Sequence, residues 1–171
     1  GRTIPSGRLT DTWAKDYQDY SSSADYSHNN GNVNDEYYSE DIFVGYRYFD
    51  TFEVEPAYCF GYGKSYTEFT IQTDHVEIEK SDVMFWVDVK NVGDELAGKE
   101  VIQVYVSAPG KDMEKPYQEL VAFRKTSLLP PKAGECVLVR FPLAALASYS
   151  SKDAAWELEE GDYLIRVGNS S

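Results

Sequence analysis

Residues 82–108 read DVMFWVDVKNVGDELAGKEVIQVYVSA, and the spacing of their apolar residues decides the fold. Val83, Phe85, Val87 and Val89 fall on one face of an extended chain, while Asp88 and Lys90 fall on the other. The NVGD that follows has turn chemistry, with Gly93 free to take a positive φ. Ile102, Val104 and Val106 then resume the period of two. Downstream, Pro-Pro-Lys-Ala-Gly (130–134) makes another turn, after which Val137, Val139 and Phe141 alternate, and so do Tyr163, Ile165 and Val167. Short strands punctuated by Gly and Pro predict an antiparallel β-sandwich of about 100 residues. Leu143–Ser150 is a short helical candidate. Trp86 lies on the outward phase, where it caps an edge or meets another domain.

Upstream of residue 70 the character changes. Residues 1–66 hold ten of the 14 tyrosines and the polar stretch SSSADYSHNNGNVNDE, which has no apolar periodicity and reads as loop. In YYSEDIFVGYRYFDTF, Ile42, Val44, Tyr46 and Tyr48 alternate with Phe43, Gly45, Arg47 and Phe49. That period predicts a short strand near 41–49, covered on both faces and dependent on neighbours for stability.

Bulk properties narrow the partners. The 171 residues suffice for one good core with an appendage, and the formal charge of -13 disfavours nucleic acid and anionic membrane alike. No apolar run approaches the ~20 residues of a spanning helix, and the opening GRTIPSGRLTDTW has no signal-peptide pattern. Cys59 and Cys136 are expected as free thiols packed like small apolar groups, not as a metal pair.

The local chemistry yields no active site. Gly63-Lys64-Ser65 spells the end of a phosphate-binding loop, but Tyr58 stands where that motif needs its first glycine. The residues after it are β-branched, so no helix N-terminus follows to hold a phosphate. Asp35, Glu36, Glu40, Asp41 and Asp50 include possible acid/base pairs, but an acidic chain yields such clusters on a solvated face. His28 and His75 lack partners at ligand spacing, so neither a metal nor a cofactor is expected. Arg47, between Tyr46 and Tyr48, either binds a carboxylate ligand or pairs with Asp50 or Glu40.

Several blocks in order then point to one family: PSGRLTDTW (5–13), YYSEDIFVGYRYFD (37–50), FGYGKSYTEF (60–69), NVGDELAGKEVIQVYVSAPG (91–110), KPYQELVAFRKTSLLPPKAGE (115–135) and AAWELEEGDYLIRVGNSS (154–171). Together they resemble the later part of glycoside hydrolase family 3, the β-glucosidase family. VGYRYFD and FGYGKSYT carry most of the specificity. The resemblance implies a fold that is mainly β: a fibronectin type III-like sandwich over 67–171. It also implies that 1–66 is the C-terminal, loop-rich piece of an α/β sandwich domain. FGYGKSYT resembles the hinge between the two, where most relatives have an apolar residue in place of Lys64.

The family hydrolyses β-glycosides with retention, using an aspartate from a (β/α)8 barrel and a glutamate usually from the α/β sandwich domain. Neither motif occurs here, so the chain is expected to be a non-catalytic piece that buttresses those domains, its partners. The ending GDYLIRVGNSS resembles members whose barrel follows the sandwich. Those are commonly bacterial and intracellular, which suits free thiols. Tyr46, Arg47, Tyr48, Tyr62 and Trp86 are then candidate contacts, either to the other domains or to sugar in an accessory binding role. The 17–36 loop could also border the parent's active-site mouth.

Overall fold

The computed structural model describes residues 3–171. Eight strands carry the fold: β1 (Phe69–Glu79), β2 (Asp82–Asn91), β3 (Val101–Ser107), β4 (Glu119–Lys125), β5 (Gly134–Pro142), β6 (Ser148–Ser150), β7 (Ala155–Glu157) and β8 (Leu164–Gly168). They form two antiparallel three-stranded sheets, ordered β1-β2-β5 and β4-β3-β8, and a small β6–β7 hairpin.

The expected inward residues make the core. Val83, Phe85, Val87 and Val89 from β2 and Val137, Val139 and Phe141 from β5 face Ile102, Val104 and Val106 of β3. All are buried, and Ile165, Val167 and Val121 pack against them from β8 and β4. Strand β1 contains a bulge at Asp74: Thr73 pairs with Val87, but His75 pairs with Trp86. The extra residue switches the inward phase from Ile71 to Val76 and Ile78, so no single parity describes the strand. It also brings His75 onto Trp86, the rings stacked with centroids 4.2 Å apart.

One buried polar residue organises the turn after β2. Asn91 is fully buried, its amide donating to the carbonyls of Leu96 (2.8 Å) and Leu129 (3.0 Å). Its Oδ1 accepts from Gly93 N–H at 3.1 Å and from the Thr67 hydroxyl at 2.6 Å. The side chain therefore joins the first sheet, its following turn and the entry to β1 through four satisfied bonds.

Three expectations are corrected. Residues 41–49 form no strand: a loop leads into a helix, α1 (Tyr46–Thr51). Gly45 breaks the extended run with φ 59° and ψ −133°, and its carbonyl accepts from Tyr48 N–H (3.0 Å) and Phe49 N–H (3.3 Å). The aromatic alternation that imitates a strand is a short helix in which Tyr46, Tyr48 and Phe49 are interleaved with Arg47, Asp50 and Thr51. Leu143–Ser150 is a 3-10 turn (Leu143–Leu146) followed by β6, not a helix. Both cysteines are free, but Cys136 is exposed because it takes the outward phase beside inward Val137. Desolvation, reinforced by Asp88 opposite it in the ladder, pushes its thiol pKa up.

Candidate interdomain interface

Strand β3 is buried on both faces. Its outward-phase residues Gln103 and Tyr105 are as hidden as the core, at 4% and 1% exposure. Residues 3–66 supply the cover.

Helix α1 does so through one face. Tyr46 Oη accepts Leu120 N–H at 2.7 Å, and Arg47 Nε lies 3.5 Å from the Glu119 carboxylate. Asp50 accepts from the Gln118 amide at 2.9 Å, and Thr51 Oγ1 accepts Tyr117 N–H at 2.8 Å. Positions i, i+1, i+4 and i+5 of a helix share a side. Here they read residues 120, 119, 118 and 117 in turn, so the helix grips the start of β4 along its length. The Tyr46 ring also meets Phe60 (5.0 Å) and Tyr105 (5.7 Å). Burial, with Tyr46, Asp50 and Cys59 nearby, raises the Tyr105 pKa, so the phenol stays protonated and donates to Gln103. Desolvation likewise raises the Asp50 pKa, against the opposing pull of Gln118 and Arg166.

A second clamp centres on Arg8. Arg8 pairs with Glu100, both largely buried, and its other nitrogen reaches the Gly63 carbonyl at 3.3 Å. Glu100 also accepts from Val101 N–H (2.7 Å) and Asn169 (3.3 Å), so the buried carboxylate is well satisfied. Gly61 has φ +84°, and a Cβ there would sit 2.6 Å from Gln103 and 2.8 Å from the Ser170 backbone. A Cβ at Gly63 would meet the Gly7 carbonyl at 2.5 Å. The glycines of Phe60–Gly63 thus serve close chain crossing. The GKS opens no helix: Lys64 is exposed and strand β1 follows it.

The five candidate contacts do not converge. Tyr46 and Arg47 face β4 and β3, and Tyr48 packs on Phe49 and Phe52 within the segment. Arg47 has neither Asp50 nor Glu40 as its ion-pair partner; Glu119 takes that place. Trp86 is occupied by His75 on the opposite sheet. Tyr62 lies against Tyr58 (4.8 Å), which meets Trp13 edge-on at 6.0 Å. Those three line an open cleft of about 440 Å³ with Leu9, and Trp13 and Tyr58 remain 51% and 42% exposed. The segment beneath is extended, with Leu9 N–H on the Tyr62 carbonyl and Trp13 N–H on that of Tyr58, each at 2.8 Å.

Among the acidic residues, Glu36 engages Ser27 N–H and His28, and Asp35 engages Asn32. His75 lies 2.9 Å from the Asp74 carboxylate. No group of three metal-ligating side chains occurs among the described residues, nor is any helix long and apolar enough to cross a membrane. Sequence reasoning missed Arg8–Glu100 and the 117–120 edge. Tyr105, an aromatic on the outward phase of a central strand, is the signal that could have found that face.

The comparisons agree with this architecture. A family model for a fibronectin type III-like domain matches residues 100–171. A β-glucosidase from Kluyveromyces marxianus is 37% identical over 172 residues, covering 100% of this chain and 20% of that protein. The structure of β-glucosidase 3B from Thermotoga neapolitana, in complex with α-D-glucose, superposes with a TM-score of 0.91 at 45% identity, covering 100% of this chain and 24% of that one. The GH3 β-glucosidase of Bifidobacterium adolescentis gives a TM-score of 0.91 at 31% identity, with 100% and 25% covered. The chain thus spans about a fifth of the length of the curated relatives it matches.

Proposed function

We propose that this chain, homologous along its whole length to glycoside hydrolase family 3 β-glucosidases, is a non-catalytic supporting segment of such an enzyme. In this reading residues 1–66 close an α/β sandwich domain, and residues 67–171 are the fibronectin type III-like β-sandwich that braces it. The parent hydrolyses terminal β-glycosides with retention, through two carboxylates about 5 Å apart across the sugar. A (β/α)8 barrel and the rest of the α/β sandwich supply both carboxylates, and the pieces present here hold those domains in position.

The observation that carries the reading is the uncovered Trp13–Tyr58–Tyr62 cleft. It stands on the segment already clamped to the sandwich, an aromatic face with its backing in place. The test is complementation. The chain alone should leave p-nitrophenyl β-glucoside intact, whereas mixing it with the separately expressed remainder of the parent should restore release. Trp13→Ala/Tyr58→Ala should weaken that assembly at least tenfold. Hydrolysis by the chain alone would overturn the proposal.

A second reading, accessory carbohydrate binding, is favoured by a different pair of rings. Tyr149 and Trp156 face each other across the β6–β7 hairpin, centroids 5.7 Å apart, and are 54% and 72% exposed. Tyr149 borders a polar cleft of about 770 Å³ lined by Asp41, Asp112, Glu114, Asp153 and Glu157. Aromatic faces stack on sugar rings and carboxylates accept from hydroxyls. Quenching of Trp156 fluorescence by cellotetraose, lost in Trp156→Ala, would support this role, and an unchanged signal would remove it.

A further inference from the structure

The sequence holds a single Asn-Gly pair, Asn30-Gly31, in the polar loop that leads toward α1. Both residues are exposed. Gly31 takes φ +84°, and a Cβ placed on it would meet no atom within 4 Å. The Gly31 nitrogen is therefore screened by no side chain of its own, and the space beside its Cα is open. Its N–H donates to the His28 carbonyl at 2.8 Å. His28 is itself exposed, and a turn bond at such a place opens locally at little cost.

The side-chain amide next to that nitrogen is polarised. Asn30 Oδ1 accepts the Asn32 N–H at 2.9 Å, and Asn30 Nδ2 donates to the Asp25 carboxylate at 3.3 Å. A backbone N–H on a carbonyl oxygen withdraws electrons from the carbon and stabilises negative charge that develops on the oxygen. Asn32 supplies an internal comparison. Its Oδ1 accepts two backbone N–H groups, from Asn34 (3.0 Å) and Asp35 (3.3 Å). The residue after it is Val33, whose branched Cβ crowds the backbone nitrogen. Two side-chain amides are activated alike, and only one adjoins an unhindered nitrogen.

We propose that Asn30 is a self-modification site, where the Gly31 backbone nitrogen attacks Asn30 Cγ and the side-chain amide leaves as ammonia. The attacking nitrogen gives its proton to solvent, and the new N–Cγ bond closes a five-membered imide. The Cγ–Nδ2 bond breaks as the departing amine takes a proton from water. Between the two steps the Asn32 N–H holds the oxyanion formed on Oδ1. Water then adds to one of the two imide carbonyls and opens the ring, leaving aspartate or isoaspartate at position 30. Water is the only co-reactant, and nothing is oxidised. Both products exchange the donor to Asp25 for a carboxylate, so like charges replace a hydrogen bond. Asp25 also accepts from the Ser39 hydroxyl, and the conversion therefore loosens the closure of the loop between residues 25 and 39.

Incubation of the whole chain at pH 8, followed by peptide mapping and labelling with an isoaspartyl methyltransferase, tests this. Conversion should concentrate at Asn30, with Asn32 at least tenfold slower, and isoaspartate should appear along with ammonia. The folded chain should convert within tenfold of the rate of a synthetic peptide of residues 24–40. Gly31→Ala should slow the loss of the Asn30 amide at least tenfold, but its φ of +84° strains alanine. Asn30→Gln is therefore a second variant: it keeps an amide beside the glycine, needs a six-membered ring to react, and should suppress conversion too. In the converted chain the amide resonances of Asp25 and Ser39 should move while those of β2 and β5 stay. Less than a tenfold gap between Asn30 and Asn32 would overturn the proposal. So would a folded chain more than tenfold slower than the peptide, because the His28–Gly31 turn would then hold the nitrogen away. Unmoved Asp25 and Ser39 resonances after conversion would overturn the loosening of the loop.

Discussion

The sandwich and the segment that drapes it are held together by different physics. Between residues 69 and 171 the fixed points are apolar side chains from two sheets, most of them exposed by 3% or less. Between residues 3 and 66 the only fully hidden large hydrophobic side chain is Phe49. The segment is held by polar grips (Tyr46 on Leu120, Asp50 on Gln118, Arg8 on Glu100) and by the edge-to-face packing of Tyr46 on Tyr105. A region with its own core folds because burial offsets its chain entropy; a region without one is ordered only where a finished surface receives it. The sandwich is therefore the template and the segment the guest.

The largest break in this contrast should come from the core. Phe85→Ala empties a site 1% exposed, where Phe85 packs against Phe141 with centroids 5.9 Å apart. It should cost about 3–5 kcal/mol. Because the guest depends on the template, both regions should melt together, with tyrosine and tryptophan signals moving in one transition under urea. Separate transitions would show that the segment has a core of its own.

Asn91→Ala should rank second. It leaves the carbonyls of Leu96 and Leu129, the Gly93 N–H and the Thr67 hydroxyl without their partner in a buried place. One or two of these groups will find water, so the loss should be about 2–3 kcal/mol. Amide exchange in the 92–98 turn and at Thr67 should accelerate more than in β5. A uniform change would show that Asn91 supports the fold generally and does not knit this corner.

The same contrast explains how much was readable from the chain. The sandwich was legible because a half-buried strand needs its apolar residues two apart, and Val83 to Val89 and Val137 to Phe141 obey that need. The bulge at Asp74 hid the inward phase of β1, since one extra residue inverts parity and leaves no mark in composition. Helix α1 resembles a strand in sequence for a related reason. Its aromatics answer to several neighbours at once, and the decisive break is a backbone angle at Gly45. The partner of Arg47 was unreadable because Glu119 is 72 residues away, while Asp50 and Glu40 are local. Contacts between a guest and its template are long-range and polar, and periodicity does not encode them.

A subtler change isolates the guest. Tyr46→Phe keeps the ring on Phe60 and Tyr105 but removes the acceptor of the Leu120 N–H. Global stability should fall by about 1 kcal/mol. Exchange at Leu120 and Glu119 should accelerate while β2 and β5 stay unchanged. Equal acceleration in β2 would mean that the helix supports the core, not merely rests on it.

The smallest effect should be electrostatic, at Asp50. Burial raises its folded pKa above the ordinary 3.8, so the folded state holds that proton more tightly than the unfolded chain does. Its contribution to stability is thus fully present below 3.8 and lost as pH rises through the folded value. At neutral pH the wild type carries a partly desolvated carboxylate there. Asp50→Asn removes the charge but keeps a carbonyl for the Gln118 amide. The variant should therefore equal or slightly exceed the wild type at pH 7, by roughly a few tenths of a kcal/mol, because the site stays half-open to water. Its advantage should shrink as pH falls toward 3.8, where the wild-type residue becomes neutral too. Urea midpoints of both proteins from pH 3.5 to 7 would measure this. A variant weaker at neutral pH would show that Arg166 and the charged form of the Gln118 bond outweigh desolvation, making the grip on β4 ionic at its centre.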